Sequence, residues 1–166
     1  MNLKDFFDYK NQLMKDLCTN EKVVRMITGD PNTPVPYREL AYKNIFPYQY
    51  IPDTVDEGKT MICYDVDVIK VPNRTYYTLA LYIWVLTHKS NARLAEGGGL
   101  LDSIAAEIDS MLNGSRLYGL GELKLNAAER FVPIKDYLGR ALTYTAWDFN
   151  RPAGSKPKPS NRKRGV

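Results

Sequence analysis

Two cysteines and one histidine are the residues best suited to nucleophilic chemistry. Cys18 and Cys63 lie far apart in the sequence and belong to no CxxC motif, and His88 is the only histidine. A thiol beside a histidine can be an activated nucleophile. However, Cys18 falls near the end of a predicted helix, whereas it is a helix N-terminus that lowers a thiol pKa. We therefore expect buried or half-buried thiols without a catalytic role, and no zinc site.

Carboxylates offer the strongest pattern for an enzyme. The segment Pro52-Asp53, followed by Glu57-Gly58-Lys59, has the residue types of a metal-dependent nuclease. In such enzymes an aspartate and a glutamate bind one Mg²⁺, and a lysine assists the attacking water. Only three residues separate Asp53 from Glu57, so the two cannot come from different strand positions. A nuclease is therefore a minor alternative.

Two further groups of carboxylates lie in predicted strands. Glu122-Leu123-Lys124 is a second Glu-x-Lys, but alternation places its two charged residues on the solvent face, opposite Leu123 and Leu125. Asp65 and Asp67 share one strand face and could bind a metal, although an exposed strand face explains them more simply. These patterns predict a protein that is not an enzyme and needs no cofactor.

The positive charge is concentrated at the C-terminal end. Residues 152–166 contain five basic residues and no acidic one, which leaves about −1 of the net charge of +4 for residues 1–151. We expect 1–151 to form one domain and 152–166 to be a flexible basic tail, which could contact phosphates of the DNA backbone or an acidic partner. No aromatic residue interleaves these cations, so base stacking is not expected. The basic residues are Lys156, Lys158, Arg162, Lys163 and Arg164.

The composition is that of one folded globular domain, with 44% hydrophobic and 25% charged residues. No apolar run approaches the roughly 18 residues of a membrane span, and the start lacks the apolar stretch of a signal peptide. We expect no membrane partner. The protein should lie in a cytoplasm or in a particle assembled there.

Helical periodicity marks three segments. Residues 3–17 form an amphipathic helix with Lys10 as the only polar member of its stripe, and Asn20 or Thr19 can cap a second, short helix. A third helix, 100–112, follows three glycines, which we interpret as a flexible joint since no phosphate-binding Lys-Ser/Thr follows. The predicted stripe of the first helix contains Leu3, Phe6, Phe7, Lys10, Leu13, Met14 and Leu17.

Two-residue periodicity marks two hairpins. The first joins 60–68 to 76–87, and the second joins 122–128 to 140–149 through a loop containing Pro133 and Gly139. The predicted fold class is therefore α+β, a mainly antiparallel sheet of two hairpins with helices packed on one face. Residues 33–59 are rich in aromatic residues but show no clear regular element, and two alternatives stay open: one long ordered loop, or a loop in which 44–46 form an edge strand.

Aromatic residues suggest where a partner could bind. The strand 76–87 is apolar on both faces, so it is either central in the sheet or meets another subunit. Tyrosine and tryptophan are enriched at protein interfaces, although core packing is an equal alternative for Tyr82 and Trp84. The candidate interface residues are Phe46, Tyr48, Tyr50, Tyr82 and Trp84.

Two stretches of the sequence resemble neck proteins of long-tailed phages. The first is Lys43-Asn44-Ile45-Phe46-Pro47-Tyr48-Gln49-Tyr50-Ile51-Pro52. The second is Ala106-Glu107-Ile108-Asp109 with Leu112-Asn113-Gly114-Ser115 and Gly119-Leu120-Gly121. The resemblance covers roughly residues 5–149 in element order and excludes the basic tail.

This resemblance implies a tail terminator, also called a tail-completion or head–tail joining protein. Such a subunit forms a ring, typically a hexamer, that ends the tail tube and offers a surface to the head-closure protein of the connector. It is a structural component of the virion, and the family has no catalytic residues. The partners implied are further copies of the chain, the tail tube protein, the head-closure protein and, without sequence specificity, passing DNA.

Three alternatives remain open at the level of sequence. The chain could be another head–tail connector subunit, an adaptor or a stopper. It could be a nucleic-acid-binding module that uses the basic tail, in which case deleting 152–166 would abolish DNA affinity. It could be the nuclease considered above, in which case DNA would be cleaved in the presence of Mg²⁺.

Overall fold

Strand β3 is the centre of a five-stranded sheet with the order β1-β2-β3-β5-β4. All neighbouring strands are antiparallel except β1, which pairs in parallel with β2. Both predicted hairpins and the short edge strand are therefore confirmed. The strands are β1 (Ile45–Phe46), β2 (Thr60–Lys70), β3 (Tyr76–His88), β4 (Lys124–Phe131) and β5 (Tyr137–Phe149).

The computed structural model describes most of the chain, but not the predicted tail 152–166. Within 3–5 and at Asp148 only the backbone is described. The described residues are 3–29, 35–51, 58–73, 75–94, 97–118 and 121–149.

Four α-helices accompany the sheet in the described part of the chain, and the ends of α2 have local causes. The Asn20 side chain accepts hydrogen bonds from the backbone N–H groups of Lys22 and Val23, at 3.0 and 3.1 Å, and so caps α2. Gly29 ends α2 at a φ of +71°. The four-residue α3 was not predicted, because one turn is too short to show a period. The helices are α1 (Leu3–Thr19), α2 (Glu21–Thr28), α3 (Tyr37–Leu40) and α4 (Leu100–Leu112).

The main core lies between the helices and one face of the sheet. Alternate residues of β2, β3 and β5 point into it, as their period predicts. Two buried tyrosines cross the layers. The Tyr64 hydroxyl donates to the Lys10 carbonyl at 2.7 Å, and the Tyr144 hydroxyl donates to Asp109 at 3.0 Å. The α+β class, with helices on one face, is confirmed.

A second, smaller core covers one end of the opposite face. The Phe46 and Tyr50 rings stack there, with centroids 4.4 Å apart. This cluster explains why β3 is apolar on both faces at its C-terminal end, and it leaves the other end of that face uncovered. Its buried members are Phe46, Met61, Cys63, Leu86 and Tyr137.

The predicted stripe of α1 needs one correction, at Phe7. Phe7 is 66% exposed, because it lies on the flank of the helix rather than over the sheet. Lys10 stays on the inward face, where its ammonium donates to the Pro47 carbonyl at 3.1 Å and forms an ion pair with Asp65. A lysine can therefore occupy an apolar stripe, since its charge reaches the sheet edge while its stem packs inside.

The second hairpin differs from the prediction at its edge strand. The register shifts between Leu125 and Ala127, which breaks the alternation: Leu125 pairs with Tyr144 on the helix side, whereas Ala127 pairs with Thr143 on the opposite face. Leu125 is 37% exposed. Glu122 lies before β4 rather than in it. Gly139 belongs to β5, not to the loop. The Phe131 ring lies over it, so a Cβ at Gly139 would come 2.5 Å from a ring carbon.

Core burial predicts a clear contrast between two substitutions. Ile108→Ala should lower the free energy of unfolding by about 2–5 kcal/mol, because it leaves a cavity between α4 and the sheet; Ile108 is fully buried. Phe7→Ala should change it by less than about 0.5 kcal/mol. Urea unfolding followed by far-UV circular dichroism measures both. Equal losses would contradict this assignment of the core.

Candidate functional site: the aromatic face of the sheet

The sheet face opposite the helices carries a row of aromatic side chains. The rings of Tyr82 and Trp84 stack with centroids 5.8 Å apart and an interplanar angle of 15°, and both side chains are half-buried. The register places Tyr82 between Asp65 and Thr143. Since cross-strand partners share a face, these residues identify the side of the sheet away from the main core.

The row continues toward the end of β5. Trp147 is 70% exposed and Phe149 is 46% exposed, while Tyr76 is 38% exposed and pairs with Phe149 at a centroid distance of 5.0 Å. The sequence prediction of interface residues did not include these three. The sequence contained a signal for Trp147, because alternation places it on the same strand face as Thr143 and Thr145. The buried Tyr144 lies on the opposite face. The aromatic face is defined as Tyr76, Tyr82, Trp84, Trp147 and Phe149.

The three predicted interface residues of the aromatic loop, Phe46, Tyr48 and Tyr50, differ in burial. Phe46 is only 5% exposed and belongs to the protomer's own second core. Tyr50 is half-buried against it, and Tyr48 is 44% exposed. The structure therefore corrects the prediction for Phe46, whose ring is already buried by the 47–51 segment. Tyr48, Tyr50, Tyr82 and Trp84 stay predicted interface residues.

Charges lie at both margins of the aromatic face. On β2, Asp65 is held by Lys10, whereas Asp67 is exposed and has no ion-pair partner within the described residues. Lys70 follows Asp67 on the same side. On the opposite margin, β4 places Lys124 beside Thr145. Asp67 is therefore an exposed carboxylate beside the aromatic row.

The five predicted basic contacts of the tail fall outside the described residues. They are Lys156, Lys158, Arg162, Lys163 and Arg164.

Neither cysteine has the surroundings of a nucleophile. Both are buried, and burial raises the pKa of Cys18 and of Cys63 to about 11. The Cys63 thiol donates to the Tyr50 carbonyl at 3.6 Å, and His88 Nδ1 contacts the Ser90 hydroxyl at 2.7 Å. A thiol without a neighbouring base stays protonated at neutral pH.

The described residues give no support for a metal site at the carboxylate patterns found in the sequence. Glu122 accepts from Arg116 Nη2 at 2.5 Å, and these hydrogen bonds lower the Glu122 pKa. The described parts of the chain contain no group of three or more potential ligands. Asp53 and Glu57 lie outside them. Within the same parts, no helix is long and apolar enough to cross a membrane.

A solvent-open groove of about 730 Å³ lies on the helix side, between the start of α4 and β4. Its lining includes Leu101 and Phe131 together with the ion pair between Asp102 and Arg140. Since these two charges neutralise each other, the groove has no obvious preference for a charged ligand.

The fold and this surface define a class: a small two-layer α+β protein that presents aromatic side chains on one face of its sheet. The profile of the YomW family matches residues 11–146. The chain therefore belongs to the YomW family, a family of phage-derived proteins. The match includes most of the described fold and ends before the basic tail. No curated protein matches the chain.

Burial predicts that both thiols are unreactive in the folded protein. At pH 8, a pKa of about 11 leaves roughly one thiol in a thousand as thiolate. Reaction with Ellman's reagent should therefore be at least a hundredfold slower in native protein than in guanidinium chloride, where two thiols per chain should react. Fast native reaction of either thiol would contradict this assignment.

Proposed function

We propose that this chain is a structural virion protein of a tailed phage, a tail terminator or neck subunit. In this proposal it forms a ring that ends the tail tube and joins the tail to the head–connector complex. Membership of a phage-derived family supports the phage origin. The resemblance of 43–52 and of the α4 region to neck proteins supports the position in the particle.

The observation that carries the structural role is the aromatic face. Large aromatic side chains offer about 150–250 Å² each. At the exposures of these five rings, the face presents roughly 400 Å², about half of one partner's share of a standard interface. An aromatic patch of this size on a β-sheet is typical of a surface that another protein covers.

A ring follows if this surface meets a different surface of the next copy. Such heterologous contacts produce a closed ring when a whole number of the rotations between neighbours completes a full turn. We expect six copies in the ring. The two ends of the ring would face the tail tube protein and the head-closure protein. The site of action is then the neck of the virion, assembled in the host cytoplasm, and DNA passes through the ring without sequence-specific contacts.

Genetic complementation tests this function directly. A phage lacking the subunit should give filled heads and separate tails of irregular length in electron micrographs. The native chain should restore joined particles. A chain with Trp84→Ala and Trp147→Ala should restore at least tenfold fewer, because it loses the two largest rings of the aromatic face.

Phe7→Ala is the matched control, because Phe7 is an exposed aromatic residue outside that face, and it should restore particles fully. Infectious particles formed without the subunit would refute the proposal. Tails of regular length beside heads that lose their DNA would instead indicate a stopper or adaptor.

The assembly state provides an independent measurement. Six copies of a 19.0 kDa chain give a ring of about 114 kDa, which mass photometry of the protein released from tails should detect. The chain with both tryptophans substituted should form at least fivefold less of this species than Phe7→Ala. A protein that stays monomeric on completed tails would contradict a ring.

A further inference from the structure

Strand β5 connects the aromatic face directly to the basic C-terminal segment. Phe149, the last residue of β5, belongs to the face and pairs with Tyr76. Only one residue lies between Phe149 and the first cation of the segment, Arg151. The face and the segment are therefore adjacent in the chain, although they differ completely in composition.

The segment 150–166 has the chemistry of a ligand for aromatic surfaces. It contains six basic residues, no acidic residue and three prolines, and its centre is Lys156-Pro157-Lys158-Pro159. Alternating proline favours the extended polyproline II conformation, and such segments bind surfaces lined by aromatic rings. Lysine and arginine add cation–π attraction, for which tryptophan is the best partner.

We propose that residues 156–159 of one copy dock on the Tyr76, Trp147 and Phe149 end of the aromatic face of a second copy. This inference deepens the proposed function. It rests on that function in one respect, because the second copy is taken to be the neighbouring subunit of the ring. The end of the face is the preferred acceptor because its three rings are the most exposed. Tyr82 and Trp84 stay available to the body of a neighbouring subunit.

The direction of β5 favours a second copy over the chain's own face. Ala141 pairs with Trp84, and Phe149 pairs with Tyr76, so β5 runs along the face and leaves it at its far end. Returning to the same face would need a reversal directly after Phe149. Continuing outward, residues 150–159 span about 30 Å in the polyproline II conformation, which is enough to reach an adjacent subunit.

Charge supports the same pairing. The net charge of +4 includes +6 from residues 150–166, so residues 1–149 carry −2. On the β2 side, Asp67 is the exposed carboxylate nearest the acceptor rings: it pairs with Ala80, which pairs in turn with Thr145, two residues before Trp147. Lys70 pairs with Thr78 and is therefore level with Trp147 itself. Lys124 lies on the β4 side. We therefore place the arm toward β2, despite Lys70 at that margin, since Asp67 has no described ion-pair partner.

Intrinsic fluorescence can test this docking because the chain has only two tryptophans, Trp84 and Trp147, and both lie on the aromatic face. The acceptor is the full chain with Lys156→Glu, Pro157→Ala, Lys158→Glu and Pro159→Ala, which cannot dock its own tail. The probe is a synthetic peptide of residues 150–166. Its addition should shift the tryptophan emission and saturate, and anisotropy of a labelled peptide should give the same dissociation constant.

Variants of the acceptor locate the site. Trp147→Ala should weaken peptide binding at least tenfold, and Asp67→Lys at least threefold. Phe149→Ser gives a second test of the rings should Trp147→Ala lose its fold. Phe7→Ala should change the constant by less than twofold. Equal binding to the folded Trp147→Ala, Phe149→Ser and Phe7→Ala chains would overturn the proposed site.

The peptide itself carries a matched control. A version with Pro157→Ala and Pro159→Ala keeps every charge and should bind at least fivefold more weakly. If both peptides bind equally, the contact is merely electrostatic and the polyproline element is wrong. A peptide that binds duplex DNA but not the acceptor chain would overturn the proposal in favour of a nucleic-acid arm.

A mixing experiment distinguishes a second copy from the chain's own face. A donor chain with Trp147→Ala and Phe149→Ser keeps its tail, and the acceptor chain keeps its rings. Energy transfer in a mixture of labelled donor and labelled acceptor chains should be at least threefold higher than in a sample that contains only donor chains or only acceptor chains. If the native chain instead shows a tail-dependent emission shift that does not vary with concentration, docking is intramolecular and the proposal fails.

These outcomes are separable from failure of the proposed function. Peptide docking without rings or head–tail joining would refute the function and keep the tail contact. Joined particles from the chain with the substituted tail, combined with no peptide binding, would keep the function and refute the contact.

Discussion

The burial of strand β3 on both faces is the constraint on which the fold depends. Its ladder with β2 and β5 pairs the backbone groups along its length. Its odd-numbered residues Leu79, Leu81, Ile83 and Val85 are almost completely buried beneath the helices. The opposite face must also be protected, since it carries Tyr82, Trp84 and Leu86. Helices cover the first face, whereas among the described residues only short segments of chain cover part of the second.

The second face is covered unequally, and this inequality creates the candidate site. At one end the 46–51 segment packs its rings over Met61, Cys63 and Leu86. The Lys10 ammonium binds that segment through the Pro47 carbonyl and the sheet through Asp65. Beyond this bridge no described segment covers the sheet, and Trp147 and Phe149 are exposed. The second core and the exposed rings are therefore two ends of one sheet face, which gives the exposed rings a rigid support.

The same packing determines the surroundings of the reactive groups that the structure describes. Cys18 and Cys63 are buried as small apolar residues, and Glu122 is held by Arg116. Shape and aromatic area, rather than a polarised cavity, distinguish the described surface. A subunit that joins large assemblies needs this kind of surface, since its affinity comes from contact area and a few aromatic anchors.

The sequence by itself determined the local elements. Periodicity located the long helices and both hairpins, Asn20 or Thr19 marked the start of α2, and alternation already placed Trp147 opposite Tyr144. These features depend on neighbours within a few residues, so the sequence contains them. It could not determine which face of the sheet is covered. Only the tertiary structure buried Phe46, exposed Phe7, paired Lys10 with Asp65 and shifted the register of β4 after Leu125. Each of these outcomes depends on contacts between residues distant in the chain, and such contacts leave no periodic trace in it.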